Sequence, residues 1–206
     1  IDKKDAEDLN LLKIDALGLR TLSVLQDVLD QVGWSRDKLI NFPLEDEGAF
    51  KILNDEKYAG IFQFEGYALQ SLTRQMKVHN FEDIASITAL ARPGPLNSGG
   101  TTQYIKRRTG EKPTEYLHPM TEEITKVTYG VVVYQEQVMT IARDVGKLSW
   151  EDVSQLRKAM SKSYGEEFFD RYWQRFKVGA KENDIEEDEA LKIWKNINTM
   201  GSWAFN

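Results

Sequence analysis

Residues 12–33 read LKIDALGLRTLSVLQDVLDQVG, a stretch that contains both a candidate catalytic acid and a clear helical pattern. After Gly18, leucine and valine recur at spacings of three and four residues as far as Val32, which is typical of a helix with one apolar face. Gly33 follows, and glycine suits the left-handed position that ends many helices. The pattern therefore predicts a helix that begins near Leu19 and ends at Gly33.

Asp15 ends a short apolar run just before this helix, so we expect its carboxylate to be held in place. Metal-assisted phosphoryl transfer uses such carboxylates, but a single Asp cannot hold two divalent cations. A helix-capping or hydrogen-bonded structural acid is the alternative interpretation. The chain begins at Ile1 without a methionine or a signal sequence and stops at Asn206 without a tail. We therefore expect a piece of a longer protein, which supplies the other ligands.

Composition limits the classes of protein and of site. With 41% apolar and 29% charged residues, the 206-residue chain is typical of a soluble globular protein. No apolar run approaches the roughly 20 residues of a membrane span. The absence of cysteine excludes disulfides and thiolate metal sites, and His79 and His118 lie too far apart for a short zinc motif. Any metal is therefore expected to be a hard, oxygen-bound ion.

Charge is unevenly distributed although the net charge is −6. Residues 101–113 contain four basic side chains and one acidic one, which makes this segment a candidate for nucleic-acid binding. Residues 182–189 contain six acidic side chains, which we interpret as the solvated start of a helix, where acids suit the helix dipole. DNA binding depends on such local charge more than on the net value.

Helical patterns dominate the chain and strands are few. Alternating or β-branched residues predict short strands at 60–66 and 129–134, and small polar residues predict a loop at 97–102. Further helices are predicted at 47–53, 67–76, 81–91, 104–108, 135–145, 149–160, 164–181 and 187–200. The predicted fold class is mainly α with a few short β-strands.

Eight stretches, in order, resemble the C-family polymerase III alpha subunit, the catalytic subunit of bacterial replicative DNA polymerases. They are residues 12–20, 60–65, 91–95, 104–110, 118–119, 129–139, 156–160 and 201–206. Three positions depart from the family pattern: Lys158 stands where a second Arg is common, Ser161 where Gly is common, and Ala91 where an aromatic residue is common. The order and spacing of the stretches cover nearly the whole chain.

The resemblance implies a palm-edge strand followed by a helical fingers domain. Residues 1–20 would be the C-terminal edge of the palm and residues 21–206 the fingers, truncated at the C-terminus. Asp15 would be a catalytic residue and a ligand of two Mg²⁺ ions. The other palm carboxylates, an Asp-x-Asp pair, are expected upstream of residue 1.

The resemblance also assigns cations to phosphate groups. Nucleotide-binding residues would be Lys13, Arg157, Lys158 and Lys162, for which exposed surface lysines or an ordinary helix face are the alternatives. DNA-binding residues would be Arg92, Lys106, Arg107 and Arg108, and these are expected to contact phosphates rather than bases because a replicative enzyme must accept every sequence. For Arg92 a structural ion pair is an equal alternative. For Glu65 and Glu136 we expect buried hydrogen-bonded networks.

The function that the resemblance implies is replicative DNA-directed DNA synthesis by the parent protein, with deoxynucleotides added to a primer 3′ end. The partners would be primer-template DNA, an incoming dNTP, the remainder of the polymerase chain, the sliding clamp and other replisome subunits, in the cytoplasm and with no membrane. The isolated fragment is expected to be inactive. The alternatives are a non-catalytic helical nucleic-acid-binding module and, more weakly, a hydrolase that uses Glu65 and Glu136 as its two acids.

Overall fold

A computed structural model of the chain describes residues 2–12, 14, 16–162 and 166–201. It describes the side chains of these residues except 3, 4, 160–162, 166–170 and 201. The chain divides into two compact units, Ile1–Leu44 and Glu45–Asn206. No helix in the described ranges is long and apolar enough to cross a membrane.

The N-terminal unit is helical where it is regular. Its helices are α1 (Lys3–Asp8), α2 (Arg20–Val32) and α3 (Arg36–Ile40). The predicted helix before Gly33 is confirmed: Gly33 has φ +66°, and Trp34 N donates to Leu29 O at 2.9 Å, which closes the end of α2. Residues 11, 12, 14 and 16–19 form neither helix nor strand, so the predicted palm-edge strand is not confirmed.

The second unit is almost entirely helical, which confirms the predicted mainly α class. Its helices are α4 (Glu47–Asn54), α5 (Tyr67–Met76), α6 (Phe81–Leu90), α7 (Pro93–Ser98), α8 (Gly100–Arg108), α9 (Pro119–Thr125), α10 (Gln135–Asp144), α11 (Trp150–Lys162), α12 (Glu166–Lys181) and α13 (Glu187–Gly201), with a 3-10 turn at Lys126–Thr128. In the part of the chain that the structure describes, no strand is longer than a single bridging residue, Tyr134.

The two strand predictions in this unit are wrong. Residues 60–66 form successive turns, with Gln63 at φ +65°. At 129–134, Tyr129 and Gly130 both adopt left-handed backbone geometry, and the valines that follow are buried without entering a sheet. A short apolar run therefore indicated burial correctly, but it did not distinguish a strand from an irregular buried segment.

The predicted loop at 97–102 is helical instead. Pro93 occupies the first position of α7, where its missing N–H costs nothing, and Gly99, at φ +80°, links α7 to α8. Thr101 is buried and donates its hydroxyl to Leu90 O at 3.0 Å. The small side chains thus allow close packing at the start of α8.

The core of this unit has two clusters. One cluster is formed by the four helices from α10 to α13 and includes Phe176, Ile193 and Trp194. The other is formed by α4, α5, α6 and α8 together with buried valines that follow Gly130. The first cluster contains a close backbone approach, since a Cβ placed on Gly179 would lie 1.9 Å from Gly146 O. This rigid packing fixes α11 and α13, two of the helices that carry exposed cations.

Candidate nucleotide and DNA interface

Helix α11 presents two of the predicted nucleotide-binding cations to solvent. Arg157 and Lys158 are exposed, whereas Val153, Leu156 and Ala159 on the other side of the helix are buried in the core. Ser149 caps the start of the helix, since its hydroxyl oxygen accepts from Asp152 N at 3.1 Å. Its apolar side therefore fixes the direction in which the two cations point.

Lys162 lies one turn after Lys158 on the same helix, but its side chain is not described. Lys13 and Asp15 lie outside the described residues, so their roles stay predictions. Within the described ranges there is no group of three or more His, Cys, Asp or Glu side chains that could hold a metal ion.

Two of the three consecutive cations at the end of α8 are held by ion pairs and backbone carbonyls. Lys106 Nζ lies 2.7 Å from Glu111 Oε1 at the surface. The Arg107 guanidinium donates to Glu115 O at 2.9 Å and to Tyr129 O at 3.0 Å, which ties the segment after α8 to the turn before the buried valines. Arg107 therefore makes hydrogen bonds that hold two segments of the chain together, whereas Lys106 makes an ion pair at the surface.

Arg108 is buried in a bidentate ion pair with Asp83 of α6. Its Nε donates to one carboxylate oxygen at 3.0 Å and its Nη2 to the other at 2.7 Å, and the two side chains are only 9% and 6% exposed. The same guanidinium donates to the carbonyls of Met76 and Lys77 at the end of α5. These hydrogen bonds of Arg108 join α5, α6 and α8. A contact between Arg108 and a phosphate would therefore require the three helices to separate at this point.

Arg92 precedes α7 as its N-cap residue, with extended backbone at φ −88° and ψ 151°. Pro93 disfavours helical geometry for the residue before it, which keeps Arg92 outside the helix. The residue is exposed. Its backbone is therefore fixed at the corner between α6 and α7.

The start of α10 is held by Gln137 and not by Glu136. The Gln137 side chain is buried, and its oxygen accepts from Val133 N at 2.8 Å and from Tyr134 N at 3.0 Å. Its amide nitrogen donates to Thr128 Oγ1 at 2.7 Å. The predicted buried networks of Glu65 and Glu136 are wrong: both residues are exposed, and the nearby glutamine makes the buried hydrogen bonds instead.

Two tyrosines, the buried Tyr104 and the half-buried Tyr134, lie where α6, α8 and α10 meet. Tyr134 OH donates to Glu82 Oε1 at 3.1 Å and lies 3.2 Å from Ser86 Oγ. Burial is the main cause that raises the pKa of Tyr104 to about 12, and it also raises the pKa of Tyr134. Both phenols are thus expected to stay neutral at physiological pH and to act as hydrogen-bonding groups.

A cleft of about 470 Å³ opens between α8 and α13. Gln103 and Arg107 line it from α8, and Lys192, Lys195 and Asn196 line it from α13. Sequence reasoning missed this cleft, although polar residues at spacings of three and four along α13 are a signal of a solvent-facing stripe. Only the packing of the two helices brings the two stripes together.

The family of the chain follows from comparison with known proteins. A family model described as the bacterial DNA polymerase III alpha subunit finger domain matches residues 21–184. The chain belongs to the DNA polymerase III alpha subunit family.

Individual relatives agree with this polymerase III alpha assignment. The DNA polymerase III subunit alpha of Aquifex aeolicus (strain VF5) is 38% identical over 208 residues, which cover 100% of this chain and 18% of the relative. The corresponding subunit of Staphylococcus aureus (strain COL) is 39% identical over 206 residues, which cover 98% of this chain and 19% of the relative. The chain thus spans less than a fifth of the length of these polymerase III alpha relatives, and the family resemblance read from the sequence is confirmed.

Proposed function

We propose that the chain is the nucleotide- and DNA-gripping part of a replicative DNA-directed DNA polymerase. The observation that carries the proposal is the exposed Arg157 and Lys158 pair on α11, in a chain whose residues 21–184 match the finger domain of polymerase III alpha. The relatives are named as DNA polymerase subunits and are more than five times longer, so the chain would act within a longer polymerase.

The role proposed for α11 is to hold the triphosphate of an incoming dNTP. Phosphoryl transfer is driven mainly by positioning and by stabilisation of charge on the phosphoryl oxygens. The planar fork of Arg157 suits two phosphate oxygens at once, and Lys158 and Lys162 supply point charges one helical turn apart. Because the opposite face of α11 is anchored in the core, these charges would be held ready before the nucleotide arrives.

Asp15 is proposed as the catalytic metal ligand that this chain contributes, with Lys13 beside it as a phosphate contact. The other carboxylates would come from elsewhere in the longer polymerase, as a lone acid cannot hold two ions. Two bound Mg²⁺ ions would activate the primer hydroxyl and neutralise the developing charge. The chain's own part would be to hold one carboxylate at the site and to bind the triphosphate.

Arg92 and the cations of α8 are proposed to meet the phosphates of primer-template DNA. Lys106 is the strongest member of this set, because an exposed ion pair such as the one with Glu111 contributes little and exchanges readily for a phosphate. Arg107 and Arg108 would have to leave their present partners, so we expect them mainly to position the helix that presents Lys106. Clamp and replisome contacts are proposed for other regions of the longer polymerase.

Asp15→Asn in the full-length polymerase tests this proposal. We expect primer extension to fall by about a hundred- to a thousandfold, while the affinity for primer-template DNA stays nearly unchanged, since removal of one essential electrostatic group commonly costs 10²–10³ in rate. Single-turnover nucleotide incorporation and DNA titration would measure the two quantities. The matched control is Asp27→Asn, which alters an exposed acid on α2.

Extension that survives Asp15→Asn would contradict the proposed role of Asp15. A chain that binds DNA but belongs to no extending enzyme would favour the non-catalytic binding module. Extension by the isolated 206-residue chain would also contradict the proposal, since the chain is proposed to supply only one of the required carboxylates.

A further inference from the structure

The cleft between α8 and α13 has no part in the proposed grip on the triphosphate. Its volume of about 470 Å³ lies within the roughly 300–1,000 Å³ that is typical of small-molecule sites. A Cβ placed on Gly100 would lie 3.2 Å from the Met200 methyl group, so the start of α8 closely approaches the end of α13. The cleft is therefore bounded by two helices whose relative position is fixed by contact.

The electrostatics of the cleft favour an anion. Lys192 and Lys195 are exposed on one face of α13, and among the described residues neither forms an ion pair or a side-chain hydrogen bond. Residues three apart on a helix are neighbours, so the two ammonium groups act on the same region. Arg107 adds a third positive charge, which is partly offset by the lining residue Glu115, whose carboxylate lies 3.6 Å from the guanidinium and is 74% exposed.

The cleft also offers groups that a bare phosphate would not need. The Asn196 side-chain oxygen is buried and has no hydrogen-bond partner in the part of the chain that the structure describes. An unpaired buried acceptor is unfavourable, and an N–H group of a ligand would satisfy it. The half-buried ring of Tyr116 lines the same cleft, and an aromatic face suits the stacking of a base.

Nucleic-acid bases carry N–H donors and a flat apolar face, and their backbone carries phosphate. Separate cations spread along a groove, with an aromatic ring between them, are typical of sites for single strands. A base in duplex DNA is stacked between its neighbours, so its face is not free to lie against Tyr116. The side chains in this cleft therefore match an unpaired nucleotide best.

We propose that this cleft binds one unpaired nucleotide of a single DNA strand. The phosphate would lie against Lys192 and Lys195, and the base would lie against Tyr116 with an N–H group donated to Asn196. The proposal deepens the proposed function and rests on it for the identity of the strand as DNA. It gives the polymerase a place to hold template that has not yet been copied.

The test is a titration of a short fluorescent oligothymidylate with the full-length polymerase, followed by anisotropy at several salt concentrations. Lys192→Ala/Lys195→Ala is expected to weaken binding about tenfold or more at low salt and to reduce the salt slope by about 0.7, since each neutralised phosphate of a single strand contributes about 0.7. Lys192→Arg/Lys195→Arg should restore most of the affinity. Both lysines are exposed, so these variants should fold.

The control is Lys57→Ala/Lys181→Ala, which removes the same charge from exposed positions outside the cleft. This variant should keep the affinity and the salt slope of the unaltered protein. Equal behaviour of the cleft variant and the control would overturn the proposal. A competition experiment with inorganic triphosphate could also overturn it. If triphosphate displaced the oligothymidylate from the unaltered protein and from the control at the same concentration, the site would be one for small anions.

The base contact is tested with Tyr116→Ala. Binding of oligothymidylate should fall about tenfold, whereas an abasic strand of the same length should bind this variant and the unaltered protein equally. Equal losses for both strands, or no loss, would exclude the base contact. These binding measurements do not depend on primer extension. If Asp15→Asn left extension intact, the proposed function would fail, but the binding test of the cleft would be unaffected.

Discussion

Helices α8 and α11 both carry adjacent cations, but they use them differently. On α8, the Arg107 and Arg108 side chains are only 13% and 9% exposed, and Arg108 forms an ion pair with the buried Asp83. On α11, Arg157 and Lys158 are exposed above a buried apolar face. The difference shows that a run of basic residues in a sequence locates charge but does not show whether that charge is available to a ligand.

The largest expected effect is on the buried end of α8. Arg108→Met would leave the Asp83 carboxylate buried without its partner, which should lower the free energy of unfolding by about 3–5 kcal/mol. Urea unfolding measures this loss, and Arg157→Met on α11 is the matched control, with a change within about 0.5 kcal/mol. Adding Asp83→Asn to Arg108→Met should recover part of the lost free energy of unfolding. If Arg108→Met and Arg157→Met lowered the free energy of unfolding equally, the distinction between the two helices would be contradicted.

The buried face of α8 also predicts an alkaline transition. Burial raises the pKa of Tyr104 from 10 to about 12. Below pH 10 the phenol is therefore neutral in both the folded and the unfolded chain, and its full contribution to the free energy of unfolding is present. Between pH 10 and 12 the unfolded chain loses the proton first, so stability should fall, by roughly 2–3 kcal/mol. Tyr104→Phe should abolish this part of the fall, while Tyr67→Phe, at an exposed position, should not. Equal pH profiles for the two variants would contradict the assignment.

The smallest effect is expected for Lys106, the exposed member of the α8 set. Lys106→Ala should change the free energy of unfolding by at most about 0.5 kcal/mol, because the pair with Glu111 lies at the surface. In the full-length polymerase, the salt slope of duplex binding should fall by about 0.9 if Lys106 meets a phosphate. An unchanged slope would assign Lys106 to the structural group with Arg108.

Much of the fold could be predicted from local sequence, because helix caps and apolar spacing act over a few residues. The end of α2 at Gly33 and the cap of α11 at Ser149 are confirmed in this way. The buried valines at 131–133 were wrongly assigned to a strand, since their burial depends on the helices that cover them. β-branched residues fit such a site as well as they fit a sheet.

The residue types of the candidate site could be predicted from the sequence, but the partners that these residues contact could not. Arg108 meets Asp83, which is 25 positions away, and no local pattern indicates that contact. The lysines of α13 were missed because they are isolated in the sequence and meet the α8 side of the cleft only after folding. Family resemblance located the exposed pair on α11, where the sequence alone left an ordinary helix face as an equal alternative.

The most direct test of the division between α8 and α11 is the dNTP dependence of single-turnover incorporation by the full-length polymerase carrying Arg157→Ala/Lys158→Ala. The apparent Kd for the dNTP should rise by about tenfold or more, as expected for the loss of charge-assisted phosphate contacts, while DNA affinity and unfolding stability stay unchanged. The control Lys57→Ala/Lys181→Ala should leave all three quantities unchanged. An unaltered Kd for the dNTP in the α11 variant would contradict the account.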